Sequence, residues 1–287
     1  MNRRIAGCVA VAQKMNGVTI HSFVALSTHI HMLATYDDAE QMARFHCHLN
    51  GNMSKEVSQV HDWKGTAFPT PYRHVELSEE PEVELARLKY HLARGCKEGL
   101  VLSPRDWPGA SSTEALISGE MAVLGEWIDR TGLCKARDKG KDVSEEDFAE
   151  DVWVRLDPLP SLAHLSRDAY AKVVLGLVQE IEEEAAAMHR VGGTRPLGIA
   201  AILARDPRHE PDEVKTSPCP WFFALDPEIK EVMRNALIWI SVQYRQAALQ
   251  LKSKDPAERR KAMSSFPLGT FPPGLPFVRE VEILEPG

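Results

Sequence analysis

Residues 18–35, VTIHSFVAL followed by ST and HIHMLAT, constrain the fold of this chain more than any other stretch. Two apolar runs rich in β-branched and aromatic residues are parted by a two-residue polar turn at Ser27-Thr28, the pattern of a β-hairpin. Side chains alternate between the faces of a strand. His29 and His31 therefore fall on one face, and Ile30 and Met32 on the other, toward a core. Two imidazoles on one face, about 7 Å apart along the strand, can grip one divalent metal. A nucleophile on a neighbouring element is the natural complement to such a pair.

Spacing alone is not selective. With 11 histidines in 287 residues, about 0.4 His-x-His pairs arise by chance. His46 and His48 supply a decoy. They sit where Met42, Phe45, Leu49 and Met53 recur at three and four, which predicts a helix over about 38–60. Two residues apart on a helix diverge by about 200°, so these histidines cannot readily share an ion. The helix over about 79–94 is more informative. Leu85, Leu88 and Leu92 form its buried stripe, and Tyr90 points away from them, with Arg87 three residues before and Arg94 four after. Cations beside a phenol favour the phenolate and attract phosphate. From spacing alone, the same pattern also describes a surface tyrosine between two solvated arginines.

The hydrophobic fraction of 44% and charged fraction of 26% belong to a globular chain with material for real cores. No apolar run reaches the ~20 residues of a membrane span. The start, MNRRIAGCVAVAQKMNG, lacks the apolar region of a signal sequence and reads as a helix with Ile5, Val9 and Ala12 inward, ended at Gly17. Five scattered cysteines without a Cys-x-x-Cys pair fit a reducing, cytoplasmic setting. The net charge is −7, and residues 113–160 carry six Lys+Arg against twelve Asp+Glu. No region is strongly basic, so any nucleic acid would be read by a local groove rather than by bulk attraction.

Along the chain, 61–71 read as a loop, YRHVEL as a short strand, and Ser78 as the cap of the tyrosine helix, which Gly95 stops. Residues 113–150, polar and dotted with glycine, read as an acidic linker. VWVRL reads as a strand, and helices are expected over about 166–190, 197–205 and 227–253. The proline-rich tail FPLGTFPPGLPF reads as an extended strap. Lys97 and Lys89 join Arg87 and Arg94 in a basic ridge. Trp63, Phe68 and Tyr72 read as base-stacking aromatics or as lids on a core. Arg208 and Lys215 are offset by neighbouring acids, and Cys96 sits at a helix C-terminus, where a thiolate is disfavoured. No phosphate-binding glycine loop precedes a Lys-Ser/Thr pair.

HSFVALSTHIHMLA resembles the histidine–hydrophobe–histidine strand of the single-tyrosine HUH transposases. YRHVELSEEPEVELARLKYHLARGCKEGLVLSPRDWPGASS is similar to their nucleophile segment: strand, tyrosine helix, Gly-Leu-Val strand and Pro-rich turn. Among them, the REP-associated tyrosine transposases and longer proteins with a C-terminal extension are the nearest in pattern. The resemblance covers about residues 1–112. It implies an α+β fold: an antiparallel sheet with flanking helices, the ferredoxin-like HUH core, followed by the linker and a mainly helical region over 151–287. It implies a divalent metal, Mg²⁺ or Mn²⁺, on His29 and His31, with Tyr90 as nucleophile and Arg87, Arg94 and Lys97 toward the DNA phosphate. The implied partner is single-stranded DNA carrying a hairpin, cut and rejoined through a 5′-phosphotyrosine by a monomer or homodimer, with no membrane involved. Two positions depart from the pattern. Relatives carry Asn, Gln or His four residues after the tyrosine, where this chain has Arg94, which is not a metal ligand; His91 points about 100° from Tyr90 and is a poor substitute. The family's first strand has no counterpart before the first helix, which predicts an open sheet edge. An inactive descendant that binds DNA hairpins is thus the competing expectation, and a metal-dependent phosphodiesterase without a covalent step is a third.

Overall fold

A computed structural model describes residues 1–68, 72–206, 220–268, 270 and 272–273. The protein is α+β, with small sheets flanked by helices and a helical C-terminal region. It divides into two compact units, Met1–Leu225 and Asp226–Gly287.

In the first unit, α1 (Asn2–Asn16) buries Ala6, Val9 and Ala12 and ends at Gly17, whose φ of 67° is left-handed. β1 (Thr19–Ala25) and β2 (Ile30–Thr35) form the anticipated antiparallel hairpin, with Phe23 opposite Met32 and Val24 opposite His31. α2 (Ala39–His61) starts where the Asp38 carboxylate accepts from Gln41 N at 2.6 Å. It buries Phe45, Leu49 and Met53, the stripe read from the sequence. β3 (Glu76–Leu77) leads into α3 (Pro81–Leu92) and α4 (Arg94–Lys97). Two expectations fail here. Glu80, not Ser78, precedes the first turn, because Pro81 takes the first helical position, which lacks a donor requirement. Gly95 does not stop the helix. It sits inside α4 under Trp107, where an added Cβ would lie 2.9 Å from the indole.

Residues 113–150, expected as a linker, are structured. α5 (Thr113–Ile117) is followed by β4 (Ala122–Ile128), α6 (Arg130–Asp138) and β5 (Ala149–Arg155), with β4 and β5 paired antiparallel from Ala122–Arg155 to Ile128–Ala149. α1 lies across this hairpin at Gly7 and Gly125, so close that a Cβ on Gly7 would overlap the Glu126 carbonyl and one on Gly125 would overlap Gly7. The glycine that made the stretch look flexible is there for close approach.

The edge of β1 away from β2 is not open either. Ala110 O accepts from Ala25 N at 2.8 Å, Phe23 O accepts from Ser112 N at 2.9 Å, and Ile20 O accepts from Asp157 N at 2.9 Å. Segments from later in the chain thus satisfy backbone groups along this edge, so the open edge expected from the sequence is not found. The stretch 99–101 is not a strand. Gly99 O and Leu100 O instead accept from Leu197 N and Gly198 N at 3.0 and 2.9 Å.

α7 (Arg167–Gly192) packs against α3, α4 and α5 and buries Tyr170, Val174, Val178 and Ile181. α8 (Ile199–Leu203) follows, and β6 (Phe222–Phe223) returns to pair in parallel with β3. In the second unit, α9 (Pro227–Gln250) and α10 (Pro256–Met263) are capped by Asp226 and Asp255, and Tyr244 meets Phe266 with ring centroids 5.2 Å apart. Arg208, Lys215 and most of the proline-rich tail lie outside the described residues. Among the described residues, no helix is long and apolar enough to cross a membrane.

Candidate functional site

β2 and α3 pack together, and that contact builds the site. The hairpin turn closes through Leu26 N donating to His29 O at 2.8 Å. This places His29 at the exposed mouth and half-buried His31 one step into β2. Their Nε2 atoms lie 2.9 Å apart, and Thr28 Oγ1 is 2.9 Å from His29 Nδ1. Burial, then the Arg94 charge, lowers the His29 pKa, partly offset by Glu98. Burial, then His29 and Arg94, pushes His31 down to about 4. Both rings are neutral at pH 7, the form that ligates metal.

The donor set fits an ion. Two nitrogens each ~2.0–2.1 Å from a metal and at right angles to one another stand about 2.9 Å apart. The hydroxyl on His29 Nδ1 is the kind of outer contact that orients a ligating imidazole. Among the described residues, no group of three His, Cys, Asp or Glu side chains is arranged to hold an ion, so water or substrate oxygen would complete the shell.

Tyr90 lies beside this pair. Its ring centroid is 6.2 Å from that of His31, nearly perpendicular. The guanidinium carbons of Arg87 and Arg94 are each 5.2 Å from the Tyr90 ring centre, and Lys97 Nζ is 4.9 Å from it. Arg94 Nη1 donates to the phenol oxygen at 3.0 Å. All six site residues singled out in the sequence, His29, His31, Arg87, Tyr90, Arg94 and Lys97, are thus one cluster. Lys89, placed in the same ridge, is not part of it. Its ammonium is held by Glu180 and Glu184 of α7 at 2.7 and 2.8 Å.

Arg94, four residues after Tyr90, has Nη2 3.6 Å from Glu98 and a buried Nε that has no partner among the described residues. His91 is closer to the site than its angular offset from Tyr90 implied. Its buried ring is 5.4 Å from that of His31, with Nδ1 unpartnered among the described residues, and burial pushes its pKa down to about 3. The signal was present: His91 is three residues past Leu88 and so continues the inward stripe.

The decoy histidines separate as the helix geometry requires. His46 stacks on Tyr72 at 4.1 Å and meets the Tyr36 hydroxyl at 3.3 Å, while His48 bonds Asn16 Nδ2 at 3.0 Å. Phe68 packs on the core, and Trp63 Nε1 is buried without a partner among the described residues. Cys96 is buried, which raises its thiol to about 12 and rules it out as a nucleophile at neutral pH. No family model, curated protein or solved structure matches the chain.

Proposed function

We propose that the protein is a tyrosine-dependent DNA transposase that cuts and rejoins single-stranded DNA. The observation that carries this reading is the convergence of the Tyr90 phenol, the paired imidazoles and three cations in one pocket. The Tyr90 oxygen attacks the scissile phosphorus and forms the new O–P bond as the bond to the 3′ oxygen breaks. The phenol proton is released, and the departing 3′ oxygen takes one up. The product is a 5′-phosphotyrosine and a free 3′-hydroxyl. One phosphodiester replaces another, so rejoining needs no nucleotide triphosphate. Arg94 directs the phenol oxygen, and Arg87 and Lys97 hold the phosphate charge. His29 and His31 are the residues that would hold a divalent ion, whose chemistry there is to polarise the phosphate oxygens.

A second reading rests on Arg94. A guanidinium at the third-ligand position, bonded to the nucleophile itself, suits a protein that binds single-stranded hairpins without cutting them. Incubation with 3′-labelled hairpin DNA and Mg²⁺, followed by denaturation, separates the two. A covalent adduct that disappears in Tyr90→Phe supports the transposase. Binding without adduct supports the hairpin binder, and cleavage that survives Tyr90→Phe supports a metal-dependent phosphodiesterase. Independently of activity, Mn²⁺ is expected to raise the melting temperature of the parent and not of His31→Ala.

A further inference from the structure

The C-terminal side of the first unit reaches back to the tyrosine pocket. β6 is fixed beside β3 by three bonds: Glu76 N to Trp221 O at 3.2 Å, Ser78 N to Phe223 O at 2.9 Å, and Leu225 N to the Glu80 carboxylate at 2.9 Å. β3 runs through Ser78 and Glu80 straight into the helix that carries Tyr90. Phe223 lies over the Arg87 guanidinium at 3.7 Å, and that same guanidinium is 5.2 Å from the Tyr90 ring centre. Trp221, two residues before Phe223, leaves 60% of its surface in water. Two residues of chain span at most about 7 Å, so the Trp221 backbone lies within that distance of Phe223, the residue that covers Arg87.

We infer that the Trp221–Phe223 strand is the base-stacking wall of this pocket. Phe223 orients Arg87 toward a phosphate, and Trp221 stacks on an unpaired base of single-stranded DNA next to it. The inference rests on the reading of the Tyr90 pocket as a single-strand site.

Charge complementarity selects the occupant. Arg87, Arg94 and Lys97 gather at the ring, and among the described residues only Glu98 stands within ion-pair distance of any of them, 3.6 Å from Arg94. The pocket therefore favours an anion. An aromatic placed directly beside surplus cations is how proteins track unpaired strands: cations take the backbone and π faces take the bases. A duplex keeps its base faces inside its own stack and offers none to an indole. Backbone pairing alone would fix β6 equally well with a small residue at 221, so the exposed indole is otherwise an uncompensated apolar surface. The strand also gives the region after α8 a task at the site that the first 112 residues cannot perform alone.

The test is a titration of the full chain with a 20-nucleotide oligothymidylate, in chelator so that no cutting occurs. Trp221→Ala is expected to weaken binding at least five-fold and Trp221→Phe to keep it within two-fold, as loss of one base–aromatic stack requires. The dependence of log K on log salt should be unchanged in Trp221→Ala, because a base contact releases no counterions. It should flatten by about 0.7 in Phe223→Leu, where one phosphate contact is loosened. Unchanged melting temperatures exclude a folding defect, and Trp221→Phe supplies the check if Trp221→Ala melts early. Trp221→Ala and Trp221→Phe both binding like the parent would overturn the inference, as would a parent that ignores oligothymidylate or an unchanged salt slope in Phe223→Leu. An adduct at Tyr90 with no effect at Trp221 sinks the wall and spares the transposase. Weakened binding with no adduct does the reverse.

Discussion

Where α1, α2 and α6 meet, Arg4 and Arg130 are enclosed by Glu56, Glu126 and Glu145; around Tyr90, Arg87, Arg94 and Lys97 gather with one carboxylate near them among the described residues, Glu98, which pairs with Arg94. In the first cluster, Arg130 grips Glu56 through two bonds of 2.7 Å and also bonds Glu145, while Arg4 reaches Glu145 at 2.7 Å. The Glu56 side chain is only 4% exposed. A small cleft lined by Lys55, Trp127, Asp129 and Thr131 adjoins this cluster, and its residues are distinct from those of the tyrosine pocket. Both arginines of the cluster have carboxylates bound to them, three for two cations, so no positive charge is left over there. Among the described residues, the tyrosine pocket has three cations and one paired carboxylate. The difference is one of charge balance: the first network matches its cations with carboxylates and ties helices together, whereas the second leaves an excess of cations beside a phenol, where an anion would be favoured.

Removing a partner from each region is the sharpest way to break that comparison. Glu56→Ala removes the two bonds that hold Arg130, leaving it Glu145 alone, and should cost about 1.5–3 kcal/mol, read as a drop in the denaturant midpoint. Gly125→Ala forces α1 off β4 and should cost about 1–3 kcal/mol by overpacking, measured the same way. A loss below ~0.5 kcal/mol for either would show that the α1 side is not a rigid support.

Acid should separate the regions by pH window. His31 and His46 have pKa values lowered to about 4, the latter through burial and then the His74 charge, and His91 to about 3. The unfolded chain takes up these protons from pH ~6.5 downward, whereas the folded protein resists until near pH 4. Stability is therefore full above about 6.5 and falls as the pH drops toward 4. Glu145, held down first by its Arg130 hydrogen bond, contributes stability that is present above the usual carboxylate range and is lost below it. Melting temperatures in chelator should show the histidine loss first, reduced in His46→Phe. A flat profile between pH 7 and 4.5 would contradict the burial assigned to these rings.

The smallest expected effect on stability is in the pocket. Arg87→Ala and Lys97→Ala should shift stability by no more than about 0.5 kcal/mol, because neither has a carboxylate partner among the described residues. Each should nevertheless flatten the salt dependence of single-stranded DNA binding by about 0.7. A large stability loss here would mean the pocket is a structural network like the first.

The hairpin over 18–35, the helical stripes of α1 and α2, and the extent of α7 were legible because period two and period 3.6 are local signals. The departure of Tyr90 from the Leu88–Leu92 stripe was legible for the same reason, as were Arg87 and Arg94 at its sides. The 113–150 stretch was misread because the partner that makes Gly125 meaningful is Gly7, more than a hundred residues earlier. β6 is two residues long, too short to show any period. Lys89 looked like a free cation because its acids come from α7, about 90 residues later.

Residue order alone determined which side chains could share a face: two imidazoles on a strand, and a phenol between arginines on a helix. Only the tertiary structure decided that the two faces meet, that Lys89 is neutralised while Arg87 and Lys97 have no carboxylate partner among the described residues, and that Phe223, from a strand beyond α8, lies against Arg87. Periodicity is written in neighbours along the chain, but charge balance is settled by neighbours in space.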